Sequence, residues 1–267
     1  MHDYDVIISV IPFFNNIINN GLKKANYAGK FVIFPTDFSN PYPNYWFANC
    51  DEFILNTKEL VRQYLSSEYN KINAFIINGL PLRSDFYSNQ VAYKLEVAKP
   101  RFGMKILLMF GKSPGTQYVC TLLDLLFRNL INSQLVILCG ENKKLFDLIN
   151  KLYNNSRIKP YMYVSDVVKL INDSNIVISK PGPTTICEVA VRGKYLLVQN
   201  DASIMNHEKY NINYVVENNL GDYYTNHYDL LNKLKNYMTH NINHEYVNGL
   251  NSVPSQLLSF ITPLAYK

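Results

Sequence analysis

Short apolar runs alternate along this chain with stretches in which apolar positions recur every three or four residues. The short runs predict strands over Asp5–Val10, Phe31–Phe34, Phe53–Leu55, Phe75–Ile77, Lys105–Phe110, Gln134–Cys139, Tyr161–Val164, Asn175–Ile178 and Tyr195–Gln199. The spaced stretches predict helices over Phe13–Asn26, Lys58–Ser66, Val119–Asn129, Lys143–Leu152, Val167–Asp173, Glu188–Gly193 and Tyr210–Glu217. Buried β-runs alternating with amphipathic helices imply an α/β fold, with parallel sheets joined by right-handed crossovers.

The alternation breaks between Ala92 and Phe102. Lys94–Arg101 is charged and contains Pro100, which disfavours a helix, so it reads as an interdomain linker. Two domains follow, residues 1–95 and 96–267. The second carries a complete doubly wound set of elements. Its first two strand-to-loop junctions put Gly111 and Gly140 at the carboxyl ends of strands, the edge where open α/β sheets bind ligands. Gly140 reads as a turn that needs positive φ.

Composition narrows the function classes. The 267 residues are 48% hydrophobic and 18% charged, as in a folded globular protein. Cys50, Cys120, Cys139 and Cys187 are widely spaced and the five histidines form no ligand pattern with them, so neither structural zinc nor a disulfide scaffold is expected. Cys139 and Cys187 read as core thiols. Residues 1–95 carry 8 basic and 8 acidic residues, leaving 18 and 13 for the remainder, so the net charge of +5 lies C-terminally. That suits a phosphate-bearing ligand or an anionic lipid surface and is too dispersed for nucleic acid. The acidic start lacks the flanks of a secretory signal, and no apolar run reaches the ~20 residues of a membrane span. The expectation is an intracellular protein, soluble or peripherally membrane-associated.

The most informative segment is Ser179–Glu188, which reads strand, Gly/Pro turn, paired threonines, helix. Such a corner lets backbone N–H groups of the turn approach an anion at a helix N-terminus. Glu188 then sits where a carboxylate accepts hydrogen bonds from two ribose hydroxyls. The corner predicts a nucleotide-bearing ligand. The loop Gly111–Gln117, with Gly115, is a second place for a diphosphate, where Lys112 is either a phosphate partner or a solvated lysine.

The words Asp5–Pro12, Thr36-Asp37-Phe38, Asn78–Arg83, Leu107–Gly111, Cys139-Gly140-Glu141-Asn142, Ser179–Glu188 and Tyr214–Asn218 stand in an order that resembles one family along nearly the whole chain. It is that of the sugar-nucleotide glycosyltransferases, which includes monogalactosyldiacylglycerol synthase, processive diacylglycerol glucosyltransferase and the enzyme that adds N-acetylglucosamine to lipid I. The resemblance implies a GT-B-like fold of two Rossmann-type doubly wound domains, here with the N-terminal, acceptor-side one incomplete. It implies a UDP-sugar donor, a lipid acceptor and no cofactor or metal. Donor-side residues carried over are Gly111, Gly115, Gly140, Asn142, Tyr163, Val164, Gly182, Pro183, Thr184, Thr185, Glu188, His207, Glu208 and Asn211. Glu188 takes the ribose, Tyr163 and Val164 the uracil, and 207–211 the sugar hydroxyls, with His207 standing where glutamine is usual.

Each has a plainer alternative. Asn142 and the 206–211 segment read also as helix caps, Tyr163-Val164 as a strand end, and Glu188 as a surface carboxylate. Asp37 is the acid–base candidate or a turn cap. Tyr42 replaces the family's imidazole near Trp46 and is a poor base near neutrality. The expected activity is transfer of a hexose or N-acetylhexosamine from a UDP-sugar to a diacylglycerol-type hydroxyl with inversion, alone or with a separate N-terminal subunit. Two readings compete with it: a catalytically inactive nucleotide-sugar-binding remnant, and a nonhydrolysing UDP-sugar epimerase.

Overall fold

The computed structural model describes residues 4–87, 103–239 and 256–257. The expected linker core and the boundary at 95/96 lie outside the described residues. Two compact units divide at Leu82 and Arg83.

The first unit contains a parallel sheet of β1 (Val6–Ser9), β2 (Lys30–Ile33), β3 (Glu52–Leu55) and β4 (Asn73–Ile76), in sequential order β1-β2-β3-β4. Helix α1 (Asn15–Lys24) joins the first pair and α2 (Lys58–Leu65) the last. Right-handed crossovers that always step the same way put every connection on one face. Registers agree: Ile7 pairs with Phe31 and Ile33 with Phe53. Their side chains share a core with Trp46, Phe47, Leu55, Leu60 and Tyr64.

Tyr42 is buried in this core. Its hydroxyl lies 2.9 Å from the Asp37 carbonyl oxygen, 3.1 Å from Asn56 Oδ1 and 3.1 Å from Thr57 Oγ1. Burial pushes its ionisation well above the usual phenol range, so it is a neutral structural group. Tyr42→Phe is expected to cost about 1–2 kcal/mol, because partners built around the hydroxyl lose it. A lower urea midpoint with an unchanged slope would register that loss.

The second unit holds β5 (Lys105–Met109), β6 (Gln134–Leu138), β7 (Ile158–Tyr161), β8 (Ile176–Ser179), β9 (Tyr195–Gln199) and β10 (Gly221–Tyr224). All neighbours are parallel and the order is β10-β9-β8-β5-β6-β7. The chain starts at the centre, winds out one way, then returns to wind out the other. Helices α3 (Thr116–Asn129), α4 (Lys143–Leu152), α5 (Val167–Asn172), α6 (Pro183–Val191), α7 (Lys209–Glu217) and α8 (His227–Thr239) complete it. Ile106, Leu108, Leu135, Ile137, Ile176, Ile178 and Leu197 form the sheet's contribution to one large core.

Several boundaries differ from the sequence reading, for physical reasons. Strand β7 ends at Tyr161, where the sequence pattern starts it. It includes Pro160, which its place at the end of the sheet allows, because an edge tolerates a residue with no N–H to donate. Helix α6 begins at Pro183, five residues before the expected Glu188, because proline at the first helical position sacrifices no intrahelical bond. Helix α3 likewise starts at Thr116, which shortens the expected 111–117 loop. Strand β10 and helix α8 have no counterpart in the sequence reading. Gly-Asp-Tyr-Tyr offers no apolar run, yet it pairs with β9 through Tyr224↔Gln199.

Candidate functional site

The sheet of the second unit reverses direction between β5 and β8, which are neighbours. The crevice beyond the carboxyl ends of strands at such a reversal is where open α/β sheets take ligands. Two loops leave that point, Phe110–Gly115 into α3 and Lys180–Gly182 into α6. The helices at their ends share a property. Gly115 and Gly182 occupy the N-cap positions, and neither supplies a side-chain cap. Thr57, Asn142 and Asp166 cap α2, α4 and α5 with their side chains, while α1 and α7 begin, like α3 and α6, without such a cap. First-turn N–H groups left without a cap, such as those of Thr184 and Thr185, remain free to meet an anion, and the helix dipole favours one. Ser, Asp or Asn at either position would have competed for the same donors.

The neighbouring loop after β6 is built around Gly140. It adopts φ +58°, and a Cβ there would lie 2.1 Å from the Lys112 carbonyl oxygen. Only glycine lets these two loops approach so closely. Glu141 N donates to that same carbonyl at 2.8 Å, and Lys112 Nζ meets Glu141 Oε1 at 3.1 Å. Asn142 Oδ1 caps α4 by accepting from Leu145 N at 3.0 Å, while its amide donates to Pro114 O and Thr116 Oγ1. The capping reading of Asn142 therefore fits, and the same side chain props up the entrance to α3. Gly111 also has positive φ, at +87°, and lies open. Asn142→Ala is expected to cost about 1 kcal/mol, the usual value of a lost cap. A thermal melt of the variant checks it.

Glu188 lies in the second turn of α6 and is half-buried. Burial raises its pKa to about 7; Arg83 pulls it down and Asp85 pushes it up. A carboxylate poised at neutrality in a partly dry site is one whose ionisation a ligand can complete. Beneath the corner, Asn211 is fully buried and donates from Nδ2 to Pro181 O at 2.7 Å. It supports the turn that opens α6. Asn206–Glu208 forms a short 3-10 turn that leads into α7, so Glu208 precedes the regular helix that holds Asn211. Glu208 is half-buried; the His207 side chain lies outside the described residues.

Tyr163 and Val164 follow β7 in an open loop instead of ending a strand, and Tyr163 is 73% exposed. Asp37 belongs to the first unit, half-buried after β2. Cys139 and Cys187 are buried in the core, and burial takes Cys139 up to about 11. Among the described residues, no three His, Cys, Asp or Glu side chains gather to hold a metal, and no helix is long and apolar enough to cross a membrane. A cleft of about 610 Å³ is lined by Asn200, Asn206, Lys209, Tyr210 and Tyr223 among others, so it abuts the 206–211 segment. It touches the loop after β9 and leaves the β5 and β8 loops aside.

Sequence reasoning missed Arg83, Asp85 and Arg192. Arg83 stands in a quoted family word without a role. The signal available was Arg192 itself, an arginine ending an otherwise apolar helix. It is 5% exposed and must find partners.

The model of the glycosyltransferase family 28 C-terminal domain matches residues 107–252. A probable chloroplastic monogalactosyldiacylglycerol synthase of Nicotiana tabacum is 27% identical over 232 residues, which is 82% of this chain and 42% of that protein. The chain thus spans less than half the length of this relative. Among solved structures, Acinetobacter baumannii MurG superposes with a TM-score of 0.67 at 11% identity, covering 97% of this chain and 73% of that one. Arabidopsis thaliana UGT89C1 complexed with UDP-L-rhamnose gives 0.60 at 10% identity, covering 96% and 68%.

Proposed function

This chain belongs to glycosyltransferase family 28, and from that premise we propose that its second unit binds a UDP-sugar at the β5/β8 reversal and donates the sugar, a hexose or N-acetylhexosamine, to a lipid hydroxyl of the diacylglycerol type. The observation that carries the reading is the meeting of two uncapped helices at that reversal, with Glu188 one and a half turns inside one of them. The diphosphate sits over the N-termini of α3 and α6, near Gly111, Gly115, Gly182, Pro183, Thr184 and Thr185. Glu188 accepts hydrogen bonds from the ribose hydroxyls. The uracil lies against the backbone of Tyr163 and Val164, and the sugar faces His207 and Glu208, while Gly140, Asn142 and Asn211 hold the loops in place. Two similarities support the donor and acceptor classes: the relative named as a galactolipid synthase, and the structure of like fold that holds UDP-L-rhamnose.

Departure of the nucleoside diphosphate leaves negative charge where uncapped N–H groups already point, which lowers the barrier without reorganisation. Attack by the acceptor hydroxyl from the opposite side inverts the anomeric centre, with Asp37 as the candidate base. No cofactor is invoked, since the UDP-sugar is itself a substrate. The C-terminal excess of positive charge suits peripheral contact with an anionic lipid surface.

The first unit bears on partners. Strand β1 lies at the end of its sheet. Beside it Val10, Ile11, Phe13, Phe14 and Ile17 are exposed, Phe13 and Ile17 at 67% each. A sheet edge with no further strand among the described residues, next to an apolar patch, is a surface for association. The occupant we favour is a separate acceptor-side α/β subunit that adds a parallel strand to β1.

Calorimetric titration with UDP, using ADP as a control, tests the donor site. Affinity should rise with pH and level off above about 7, with proton release below that point, because the ribose contact requires ionised Glu188. Labelled sugar transfer to lipid extract, with and without the product of the neighbouring gene, tests the reaction. UDP binding with no transfer in either arm would favour the binding-only reading.

A further inference from the structure

The short 3-10 turn Ser84–Phe86 opens the second unit and is pinned to it at both ends. At one end Arg83 Nη1 donates to Ser165 O at 3.1 Å, at the foot of the loop that carries Tyr163 and Val164. At the other, Arg192 Nη1 donates to Phe86 O at 3.2 Å, and Phe86 is fully buried. Arg192 follows Glu188 by four residues. Positions four apart share a face of a helix, about 5–6 Å from each other. The turn therefore packs against the C-terminal end of α6, about one helical turn beyond Glu188. Arg83 is fixed in its own right: Nη2 lies 3.3 Å from Asp85 Oδ2, and the guanidinium stands 5.6 Å from the centre of the Phe86 ring.

We propose that Arg83 is a positioning residue of the pentose subsite, a guanidinium tied to the Tyr163–Ser165 loop that holds Glu188 as a charged acceptor for the two hydroxyls. The proposal rests on the reading of this unit as a nucleotide-sugar site and assigns it a residue from well before α3 in the sequence. The groups of the turn that act on Glu188 are Arg83 and Asp85, of opposite sign. Arg192 Nε also donates to Asn172 Oδ1, at 2.6 Å. With Arg83 gone, Asp85 is left as the turn's charge beside a half-buried carboxyl. Glu188 then retains its proton to higher pH, and a protonated carboxyl cannot accept from both hydroxyls.

The test compares the wild-type chain with Arg83→Ala and Arg83→Lys. Each is checked for native circular dichroism, then titrated with UDP from about pH 6 to about pH 9, a range that brackets the group. Arg83→Ala should bind UDP roughly three- to tenfold more weakly near neutrality, since one unit of pKa is a tenfold factor, and should regain most of that at the alkaline end. Arg83→Lys keeps the charge and should recover most of the affinity even though it loses the planar fork. Carboxyl-carbon NMR of Glu188 in the ligand-free chain should show its midpoint moved upward in Arg83→Ala, a readout that needs no nucleotide. An unmoved midpoint, or an affinity loss equal at every pH, overturns the proposal. A wild-type chain that fails to bind UDP overturns the functional reading instead, and the NMR midpoint still decides whether Arg83 governs Glu188. If Arg83→Ala does not fold, Arg83→Gln carries the same comparison.

Discussion

Replacing Gly140 by alanine is expected to destabilise the second unit by about 2–4 kcal/mol, the largest effect of any single methyl group near the site. Two costs combine. Alanine at φ +58° sits in the left-handed region, at roughly 1–2 kcal/mol. The new Cβ would also lie 2.1 Å from the backbone oxygen of Lys112, and no flexible side chain can move aside there. Either the 110–115 loop is displaced or the 139–142 turn opens, and the Glu141 N to Lys112 O bond is lost in both cases. Urea unfolding should show a lower midpoint. UDP affinity should fall in the folded fraction as well, because the displaced loop is the one that leads into α3. An alanine variant as stable as the parent would mean that the two loops do not approach as described.

Glu188→Ala is expected to weaken UDP binding by about 1.5–3 kcal/mol, the range for hydrogen bonds to a charged acceptor, or roughly 10- to 150-fold. The residual affinity should no longer vary with pH around neutrality. Stability should move differently. The folded pKa of about 7 lies above the ordinary glutamate value, so the native state holds a proton that the unfolded chain has released between roughly pH 4 and 7. Stability from this group is fully present below the unfolded pKa and is lost as pH rises through the folded one. Glu188→Gln removes that dependence, so its urea midpoint should exceed the parent's above neutrality while its UDP affinity stays low. A carboxyl group kept against the preference of the fold marks a place where binding outweighs stability. Unchanged UDP affinity in a folded Glu188→Ala chain would remove the pentose assignment.

Much of this site was legible in the residues. The Ser179–Glu188 corner, Gly140 and Asn142 follow local rules: a buried strand, a residue without Cβ, a cap three positions before a helical amide. The α/β alternation was legible for the same reason, because burial imposes its period on each element separately. The starts of α3 and α6 were set too late, since Gly, Pro and Thr are turn formers and also the residues that open a helix. The apolar pattern starts a strand at Tyr161, where β7 ends, because a proline is admitted to a strand only at an edge, and sheet order is not written in the local sequence. Tyr42 was weighed for its chemistry when its hydroxyl belongs to the packing of the first unit. Arg83 had no local signal. Its meaning comes from Ser165, Phe86 and Glu188, and long-range proximity of that kind leaves no period in a sequence.

The two strand orders also set a schedule for the chain as it leaves the ribosome. In the first unit each new strand pairs with the one made just before it, so contacts stay local and assembly keeps pace with synthesis. In the second, one flank of β5 waits until Ile176 arrives to pair with Ile106, ~70 residues later. At roughly 5–20 residues per second that interval lasts several seconds. Throughout it the nascent Ile106–Leu108 segment presents an apolar edge with no mate, and this is the window in which a chaperone has most to protect.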